Sequence, residues 1–564
     1  MPSDRSKSIS PVMFFGLGLI VIFFAAFLVY PLLYVFARAF WWNGSLVFPF
    51  GHLFQNAVYR ESLRNSLLLG FTVTFLASLV ALPLAFIFAK YRFSGKVLLN
   101  AALLAPMIMP PFVGAIGVRR VLSLRGGALN SLLVTLGLLD PQHTINWLGS
   151  GFWGTVVLEV LHLYPILFLN VTAAMANIDP SLEEAARNMG DHGLRLFRKI
   201  TFPLLAPGYF AGGAIVFIWS FTDLGTPLMF NYHKVAAVQI FNTRMDDNPI
   251  TYVLVVTVLL MTAAIFLVSR LLFTRKETQM VSKGTVAAVE KDPSPTGRVL
   301  IYAVVLSIIG LALLPHASVV LTSVAGRWSG TPLPASLTGA YFREVLTAEH
   351  TLGSIKNSLL YSVSSTLINI FIGVSVAYVL TRKRFPGMAL LDVVAMMPLA
   401  IPGIVLAFGY LRAFSQTAID PSRNPTALLI LSYAVRRMPY MIRAAMAGFQ
   451  QTDVVLEEAS QNLGASPLRT ALRVTLPLIA ANIVAGAVLC FSFAMLEVSD
   501  SLILADTKAY FPITKMIFHM QSDLDRGEFK ACAFGVLGMI LLATTLLFAT
   551  KLLGKKMGAM FRVG

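Results

Sequence analysis

Charged side chains and cysteine are both scarce in this sequence. Asp, Glu, Lys and Arg make up 13% of the 564 residues, against about 25% in a typical soluble protein. Only two cysteines occur, Cys490 and Cys532, and they lie in or beside apolar stretches with neither a CxxC spacing nor a matching histidine cluster. These scarcities argue against a soluble globular protein, a disulfide framework and a cysteine-based zinc site.

The motifs of nucleotide and hydrolytic chemistry are missing as well. The sequence contains no GxxxxGKS or GxxxxGKT, no HExxH and no GxSxG. It therefore offers no phosphate-binding loop for ATP, no zinc-binding histidine pair on a helix and no nucleophile elbow. We expect no enzymatic activity and no cofactor in this chain, and we assign no metal ligand firmly.

Hydrophobic residues are abundant, at 57% of the chain. Apolar runs of about 20 residues, the length that crosses a bilayer as a helix, predict an all-α integral membrane protein with about twelve transmembrane helices. The first run follows Arg5 and Lys7, but it is longer than the apolar core of a signal peptide and lacks a small-residue cleavage site, so we expect a retained helix. The predicted helices lie at 13–38, 64–89, 98–118, 152–176, 204–222, 251–273, 299–323, 357–381, 388–412, 426–447, 478–499 and 531–552.

The basic residues predict an orientation. The formal net charge is +17, but Lys and Arg cluster in short loops between the apolar runs, which is the positive-inside pattern rather than a nucleic-acid-binding face. The loop with Arg119, Arg120 and Arg125 falls outside and is an exception. With both termini cytoplasmic, the basic segments that fall inside are 90–96, 187–199, 270–276, 381–385 and 551–556.

The strongest organisational signal is an internal repeat. Because each half has an even number of helices, the two six-helix repeats are expected to be parallel around a central pathway. We predict a first repeat at 1–276 (core 60–275), a cytoplasmic linker at 277–297 and a second repeat at 298–564 (core 350–552). Asn65, Arg92, Pro106, Pro110 and Gly117 recur 292 positions later as Asn357, Arg384, Pro398, Pro402 and Gly409, and Pro165, Glu184, Gly190 and Pro203 recur 274 positions later as Pro439, Glu458, Gly464 and Pro477.

One loop in each half follows the same plan. Residues 181–208 (loop A) read SLEEAARNMGDHGLRLFRKITFPLLAPG, and residues 455–482 (loop B) read VLEEASQNLGASPLRTALRVTLPLIAAN. Each predicts a short amphipathic helix with acidic residues in its first turn, where the helix dipole favours them, then a break at Gly190 or Gly464 and a basic helix. Pro203 or Pro477 is expected to open the next span, where a missing N–H costs little.

Loops A and B resemble the cytoplasmic loop of the membrane subunits of type I ABC importers, whose pattern is E-A-A, then Gly, then I/V-x-x-P. The resemblance extends over 60–275 and 350–552, and loop B departs from it where Ser460 replaces the second Ala. In that family the loop forms coupling helices that sit in a groove of the ATPase subunit. The resemblance implies an ATPase-coupling role for Glu183, Glu184, Ala185, Ala186, Gly190, Ile200 and Pro203 in loop A and for Glu457, Glu458, Ala459, Gly464, Val474 and Pro477 in loop B.

The resemblance also implies partners. Two coupling loops imply two copies of an ABC ATPase that uses ATP and Mg²⁺ and whose closure rocks the halves between inward- and outward-open states. The family further implies a periplasmic substrate-binding protein, received by the external loops, and a bacterial inner membrane. In loop A we expect a small-residue face, Ala185 and Ala186, to enter the ATPase groove. Glu184 and Glu458 are expected to pair with basic groups there.

A fused chain of this kind looks most like the ferric-iron branch of the family. Residues 221–230, FTDLGTPLMF, and 431–440, LSYAVRRMPY, are similar to stretches of those permeases. The implied substrate is Fe(III), and the alternatives are thiamine or an organic anion such as a phosphonate or a sugar phosphate. An ion-coupled secondary carrier would also have parallel repeats and buried charges, but it has no reason to carry two coupling loops.

Charged residues inside spans are costly in hydrocarbon and are therefore candidates for the substrate pathway. Asp223 and Glu497 are repeat equivalents near the ends of their spans, with Asp500 one turn beyond Glu497. Their oxygen atoms suit a hard cation. Arg436 and Arg437 lie in the middle of a span and suit a phosphate or carboxylate. The alternative is that an arginine pairs with one of the acids, which closes the pathway or orients the helices.

Overall fold

The protein is almost entirely helical. A computed structural model describes residues 11–42, 45, 46, 48–273, 290–383, 385–523 and 526–560. Within these residues, β structure is limited to a bridge between Tyr91 and Lys291 and two antiparallel hairpins, Trp41–Trp42 with Ser45–Leu46 and Ala325–Arg327 with Ser336–Leu337. The predicted all-α membrane fold is confirmed. Helices suit a bilayer because they satisfy their backbone hydrogen bonds internally.

Eight helices in the described part of the chain are long and apolar enough to cross a membrane, and the number is eleven when three bent pairs are included. We number them after the twelve predicted segments. The eight continuous ones are Phe15–Phe40 (span 1), Ala57–Lys90 (span 2), Phe152–Ala176 (span 4), Gly193–Phe221 (span 5), Pro249–Ser269 (span 6), Pro295–Val324 (span 7), Glu349–Arg382 (span 8) and Gly527–Leu547 (span 12). Single π-helical turns interrupt some of them, at Ala25–Val29, Phe197–Thr201 and Asn369–Gly373.

Spans 3 and 9, predicted at 98–118 and 388–412, are each formed by two helices that meet at a sharp bend. In span 3, Lys96–Ile108 meets Pro111–Leu122 at 100°, and in span 9, Met388–Leu399 meets Gly403–Ala413 at 101°. In span 3, Met109 before Pro110 has an extended backbone (ψ 128), because a proline disfavours helical backbone in the residue before it. Pro402 occupies the equivalent position in span 9.

Span 11 is bent as well, whereas its counterpart in the first half is not. Pro467–Leu478, which contains the π-helical turn Ala471–Thr475, meets Ala480–Met495 at 73°. The two halves therefore differ in how loops A and B continue into the membrane.

Span 10 is the 26-residue helix Thr426–Gln451. It is less apolar than the others because it contains Arg436, Arg437 and Arg443. Arg437 is only 7% exposed, which places this charge among neighbouring helices rather than against lipid, as is usual for intramembrane cations.

The first helix of each half packs against the other half. Span 1 packs against span 9, where the Tyr410 hydroxyl donates to the carbonyl oxygen of Phe27 at 2.6 Å. Span 7 packs against span 3, where a Cβ on Gly117 would lie 2.5 Å from the Pro315 carbonyl oxygen. Gly409, the repeat equivalent of Gly117, faces Pro31 of span 1 in the same way, at 3.2 Å. The two halves are thus interlocked around a shared centre.

The end of the predicted linker lies against the first half. The Lys291 amide donates to the Lys90 carbonyl at 2.9 Å, and the Arg92 amide donates to the Lys291 carbonyl at 3.0 Å. Glu290 forms an ion pair with Lys96 at 2.6 Å. Residues 277–289 of that linker, Arg5, Lys7 and Arg384 lie outside the described residues.

Short helices complete the described structure. Two of them belong to loops A and B, Pro180–Asn188 and Val454–Asn462. The others, together with the 3-10 turn Lys508–Tyr510, are Phe50–Gln55, Ala128–Thr135, Gly225–Met229, Ala236–Asn242, Ala340–Thr347, Ser499–Leu504 and Ile513–Gln521.

Candidate functional site

Loops A and B have closely similar local structures. Asp179 caps the helix Pro180–Asn188 by accepting from the Ser181 amide at 2.9 Å, and Asp453 caps Val454–Asn462 by accepting from the Val455 amide at 3.1 Å. Both helices end at a glycine in the left-handed region, Gly190 at φ +92° and Gly464 at φ +87°. The predicted breaks at these two glycines are confirmed.

Pro203 and Pro477 lie in the first turn of the α-helical segments Phe202–Phe221 and Leu476–Leu478, which follow π-helical turns within longer helices. Pro203 lies inside the continuous helix Gly193–Phe221, two residues after the π-helical turn Phe197–Thr201. Pro477 lies before the bend of span 11. Each proline follows a π-helical turn, where the altered backbone pairing accommodates a residue without an N–H. Ile200 and Val474 are half-buried on these turns.

A buried glutamate ties each loop to the end of a span. Glu183 forms ion pairs with Lys90 at 2.6 Å and with Arg187 at 3.2 Å, and it accepts from the Thr201 hydroxyl at 3.0 Å. In the second half, Glu457 forms an ion pair with Arg382 at 3.1 Å. Lys90 and Arg382 are themselves repeat equivalents, so both halves use the same connection.

The pKa of Glu183 reflects these contacts. Burial by itself raises the pKa of this carboxyl, but the hydrogen bond and charge of Lys90, the Thr201 hydroxyl and the charge of Arg187 outweigh burial. The pKa therefore lies below its ordinary value, and the carboxylate is ionised at neutral pH.

The exposed face of loop A differs from the predicted one at Ala186. Ala186 is 1% exposed, so it cannot enter a partner's groove, and that part of the prediction is wrong. Glu184, Ala185, Glu458 and Ala459 are exposed. The prominent exposed side chains are instead large and apolar: Leu182, Met189 and Leu194 in loop A, and their repeat equivalents Leu456, Leu463 and Leu468 in loop B. Their recurrence at the 274-residue offset could have identified them from the sequence.

A cavity of about 200 Å³ lies between the two halves. Repeat-equivalent positions line it, because spans 4 and 10 and the ends of spans 5 and 11 contribute its walls. The pairs that matter here are His162 with Arg436, and Asp223 with Glu497. Asp223, Glu497, Arg436 and Arg437, predicted from the sequence as pathway residues, therefore line one common space.

On the second-half side of the cavity the charges are paired. Arg436 contacts Glu497 at 2.7 Å and Asp500 at 3.1 Å, and Arg437 also forms an ion pair with Glu497. The Ser432 hydroxyl donates to Asp500 at 2.8 Å. Both arginines therefore pair with acids, which is the pairing named in the alternative expectation.

On the first-half side the cavity is lined by acids. Asp223 accepts from the backbone amides of Gly225 and Thr226, both at 3.1 Å. Glu159, which the sequence analysis missed, lies nearby on span 4, is 3% exposed and accepts from the Ser220 hydroxyl. Glu159 could have been recognised from the sequence, because it is a lone glutamate inside an apolar 25-residue helix. Neither acid has an ion-pair partner among the described residues.

No preformed metal centre is present in the described part of the chain. No three His, Cys, Asp or Glu side chains lie close enough together there to hold a metal ion. His162 directs Nδ1 at the Pro106 carbonyl, 3.0 Å away, and so serves the bend of span 3.

Comparison with known proteins decides the family. A family model described as "Binding-protein-dependent transport system inner membrane component" matches residues 81–278 and 369–559, well over half of the chain. The chain belongs to this family. The two matched segments fall one in each half, in agreement with the internal repeat. The protein is thus a multi-pass membrane permease subunit of a binding-protein-dependent transport system, as its sequence predicted.

Curated relatives of this permease include iron transporters. The putative ferric transport system permease protein FbpB 1 of Haemophilus influenzae is 29% identical over 509 residues, which cover 87% of this chain and 78% of that protein. The ferric transport system permease protein FbpB of Actinobacillus pleuropneumoniae is 28% identical and covers 95% of this chain and 77% of that protein. The molybdate/tungstate permease protein WtpB of Pyrococcus abyssi is 32% identical over 183 residues, 32% of this chain and 71% of that protein.

Proposed function

We propose that this permease is the channel subunit of an ATP-driven importer that takes Fe(III) from a periplasmic binding protein and delivers it to the cytoplasm by alternating access. The observation that carries the proposal is the pair of loops A and B, each tied by a buried glutamate to the end of a span. A secondary carrier has no use for two such loops. The choice of Fe(III) as the substrate rests on the relatives named as ferric transport permeases, which align with most of the chain.

The exposed apolar side chains of the two loops support docking of two ATPase copies. Met189 is 78% exposed and Leu463, its repeat equivalent, 89%. Leu194 and Leu468 are 80% and 69% exposed. Large apolar side chains displayed in this way on a protein mark an interaction surface. ATP and Mg²⁺ belong to the ATPase partners, and this chain contributes no catalytic group.

Loops A and B lie on the cytoplasmic side in this proposal. The basic segments at 90–96 and 187–199 then face the cytoplasm, as the positive-inside rule requires. Both chain termini lie on that side, and the membrane is a bacterial inner membrane. The short helices at the opposite end, such as Ala128–Thr135 and Ala236–Asn242, receive the binding protein.

The ferric and the molybdate/tungstate relatives are named for substrates of opposite charge. The WtpB relative is named for oxyanions, which would call for free cationic groups. Arg436 and Arg437 are already bound to Glu497 and Asp500, whereas Asp223 has no ion-pair partner among the described residues. The cavity therefore favours a cation over a phosphonate, a sugar phosphate or molybdate.

Reconstitution in proteoliposomes tests this function. The permease, its ATPase and its binding protein are combined, and uptake of radioactive iron and ATP hydrolysis are measured together. We expect iron uptake that requires ATP and the binding protein, with hydrolysis stimulated by the iron-loaded binding protein. Uptake driven by an ion gradient without ATP would identify a secondary carrier, and uptake of molybdate or a phosphonate in place of iron would overturn the substrate.

A further inference from the structure

We propose that Glu159 and Asp223 form a transit site for a hard, multiply charged cation inside the cavity between the two halves. The inference deepens the proposed function and rests on it for the identity of the cation. It assigns binding to the first half only, on the wall formed by span 4 and the end of span 5.

The geometry of Glu159 carries the inference. Its carboxylate is buried, at 3% exposure, and one oxygen accepts from the Ser220 hydroxyl. The other oxygen, Oε1, is buried with no hydrogen-bond partner among the described residues, although the side chain lines the cavity. An unpaired buried acceptor is costly, so an oxygen left in this state is best explained by a ligand that visits it.

Asp223 brings a second carboxylate to the same place. It lines the same cavity as Glu159, near enough for the two carboxylate charges to interact. The amides of Gly225 and Thr226 hold its two oxygens, at 3.1 Å each. Asp223 is thereby positioned in advance by backbone amides, as Glu159 is by the Ser220 hydroxyl.

The balance of charge specifies a cation. Two arginines on the opposite wall are neutralised by two acids, Glu497 and Asp500. Glu159 and Asp223 then remain without a basic partner in the described residues, although intramembrane charges are almost always paired. The missing partner is the substrate cation, for which carboxylate oxygens are suitable ligands.

The small number of protein ligands suits transit rather than storage. With two carboxylates and no third His, Cys, Asp or Glu close by among the described residues, a hard cation retains water or other small ligands in its remaining positions. Passage requires binding that is favourable enough to enter and weak enough to leave. The repeat equivalents in the second half cannot form a matching site, because Glu159 corresponds to Tyr433 and Asp223 to the arginine-bound Glu497.

Terbium luminescence provides a direct binding test. Tb(III) is a hard trivalent cation that emits when an indole close to it absorbs light, and Trp219 lines this cavity. The full chain, in nanodiscs of uncharged lipid, is titrated with Tb(III) alone. We expect a saturable signal that disappears in Trp219→Phe. A Trp219→Phe signal equal to wild type would place the bound ion elsewhere and overturn the site.

Substitutions identify the ligands. Glu159→Gln keeps the size of the side chain and an acceptor for Ser220, and Asp223→Asn keeps the size of the side chain and one of the two acceptor oxygens that face the amides of Gly225 and Thr226. Each is expected to weaken Tb(III) binding by at least about tenfold, whereas Glu159→Asp retains part of the affinity and guards against a folding defect. The matched control, Glu61→Gln, removes an exposed carboxylate that pairs with Lys234 and is expected to bind as wild type does. Unchanged affinity in both Glu159→Gln and Asp223→Asn would overturn the proposal.

Iron uptake by the reconstituted complex separates this inference from the proposed function. If the wild-type complex imports iron and Glu159→Gln imports it equally fast, the transit site is refuted and the function stands. If the wild-type complex imports no iron under conditions that support its ATPase cycle, the function is refuted, while the terbium titration still decides whether the two carboxylates bind a cation.

Discussion

At the scale of single residues, the absence of a side chain at Gly403 makes room for a buried charge. A Cβ at this position would lie 2.4 Å from Cζ and Nη1 of Arg436, well inside van der Waals contact. The guanidinium lies against the bend of span 9, and from there it reaches Glu497 and Asp500. The glycine therefore helps to hold the ion-pair cluster that closes one wall of the cavity.

Gly403→Ala should accordingly destabilise the protein. The added methyl group displaces Arg436 from its acids, and overfilling of this kind costs about 1–3 kcal/mol. Thermal unfolding in detergent measures the effect as a lowered Tm. The control is Gly310→Ala, where a Cβ meets nothing within 4 Å and the better helix propensity of alanine keeps or raises the Tm. Equal Tm values for the two variants would contradict the close contact with Arg436.

Glu183 provides a pH-dependent test at the same scale. Because its pKa in the folded protein is lowered, its stabilising effect is present at a pH above the ordinary glutamate value of about 4.3 and is lost as the pH falls through the lowered folded value. Glu183→Gln should cost about 1.5–3 kcal/mol at neutral pH, the range for hydrogen bonds to charged groups. The Tm difference from wild type should shrink as the solution is acidified below pH 4.

The neighbouring Glu184 supplies the matched control. It is exposed, so Glu184→Gln should leave the Tm of the isolated chain unchanged at every pH. A pH-independent difference between wild type and Glu183→Gln, or an equal loss in Glu184→Gln, would show that the ion pair with Lys90 does not stabilise loop A.

At the scale of secondary-structure elements, loops A and B depend on backbone conformation. Gly190 and Gly464 have positive φ, and no atom lies within 4 Å of a Cβ added at either one. Any cost of substitution therefore comes from the backbone alone, about 1–2 kcal/mol for a residue with a side chain and more for a β-branched one.

The double variant Gly190→Val and Gly464→Val should lose its ATPase partners. The valines disfavour the turn that sets each short helix at its angle to the following span, so the apolar docking residues are misplaced. Co-purification of the ATPase with tagged permease measures the loss. Asparagine tolerates this backbone region, so Gly190→Asn with Gly464→Asn should retain the ATPase. Full retention in the valine variant would show that the turn is unimportant for docking.

Hydropathy predicted the positions of spans 3 and 9 but not their bends. Each stretch is apolar along its length, and its composition is the same whether it is straight or bent. The prolines Pro110 and Pro402 marked the positions, but proline is also tolerated inside helices such as span 4, at Pro165. The sharp turn is selected by what the two segments pack against, which composition does not record.

At the scale of the whole molecule, the halves are joined by exchanged helices rather than by the linker alone. Span 1 contacts span 9 through Tyr410 and Phe27, and span 7 lies close to span 3 at Gly117. Helices in a bilayer associate through close approach at small residues, and both contacts use a glycine at the same repeat position.

Two separate chains, 1–276 and 298–564, should therefore assemble when they are produced together. A tag on one half should recover the other in detergent, since both exchanged contacts remain intact. Gly117→Leu with Gly409→Leu should greatly reduce recovery, because neither contact can accommodate a side chain, whereas Gly310→Leu should not. Recovery that is unaffected by the double substitution would mean that other contacts hold the halves together.

The sequence by itself determined the class of protein, the positions of its helices, the repeat and the two loops. These features are local: about 20 apolar residues form a membrane helix wherever they occur, and the E-A-A, Gly and I/V-x-x-P pattern lies within a single loop. Asp223, Arg436, Arg437 and Glu497 could also be selected in advance, because a charge inside an apolar run is visible in the sequence.

Only the tertiary structure decided how these charges combine. The arginines neutralise Glu497 and Asp500, Ala186 is covered by its own chain, and Glu159 joins Asp223 in the cavity. Each outcome depends on residues that are distant in the sequence, such as Arg436 and Glu497 on spans 10 and 11. Charges interact through space according to their separation and burial. Which of these charges pair is therefore determined only when the helices pack together.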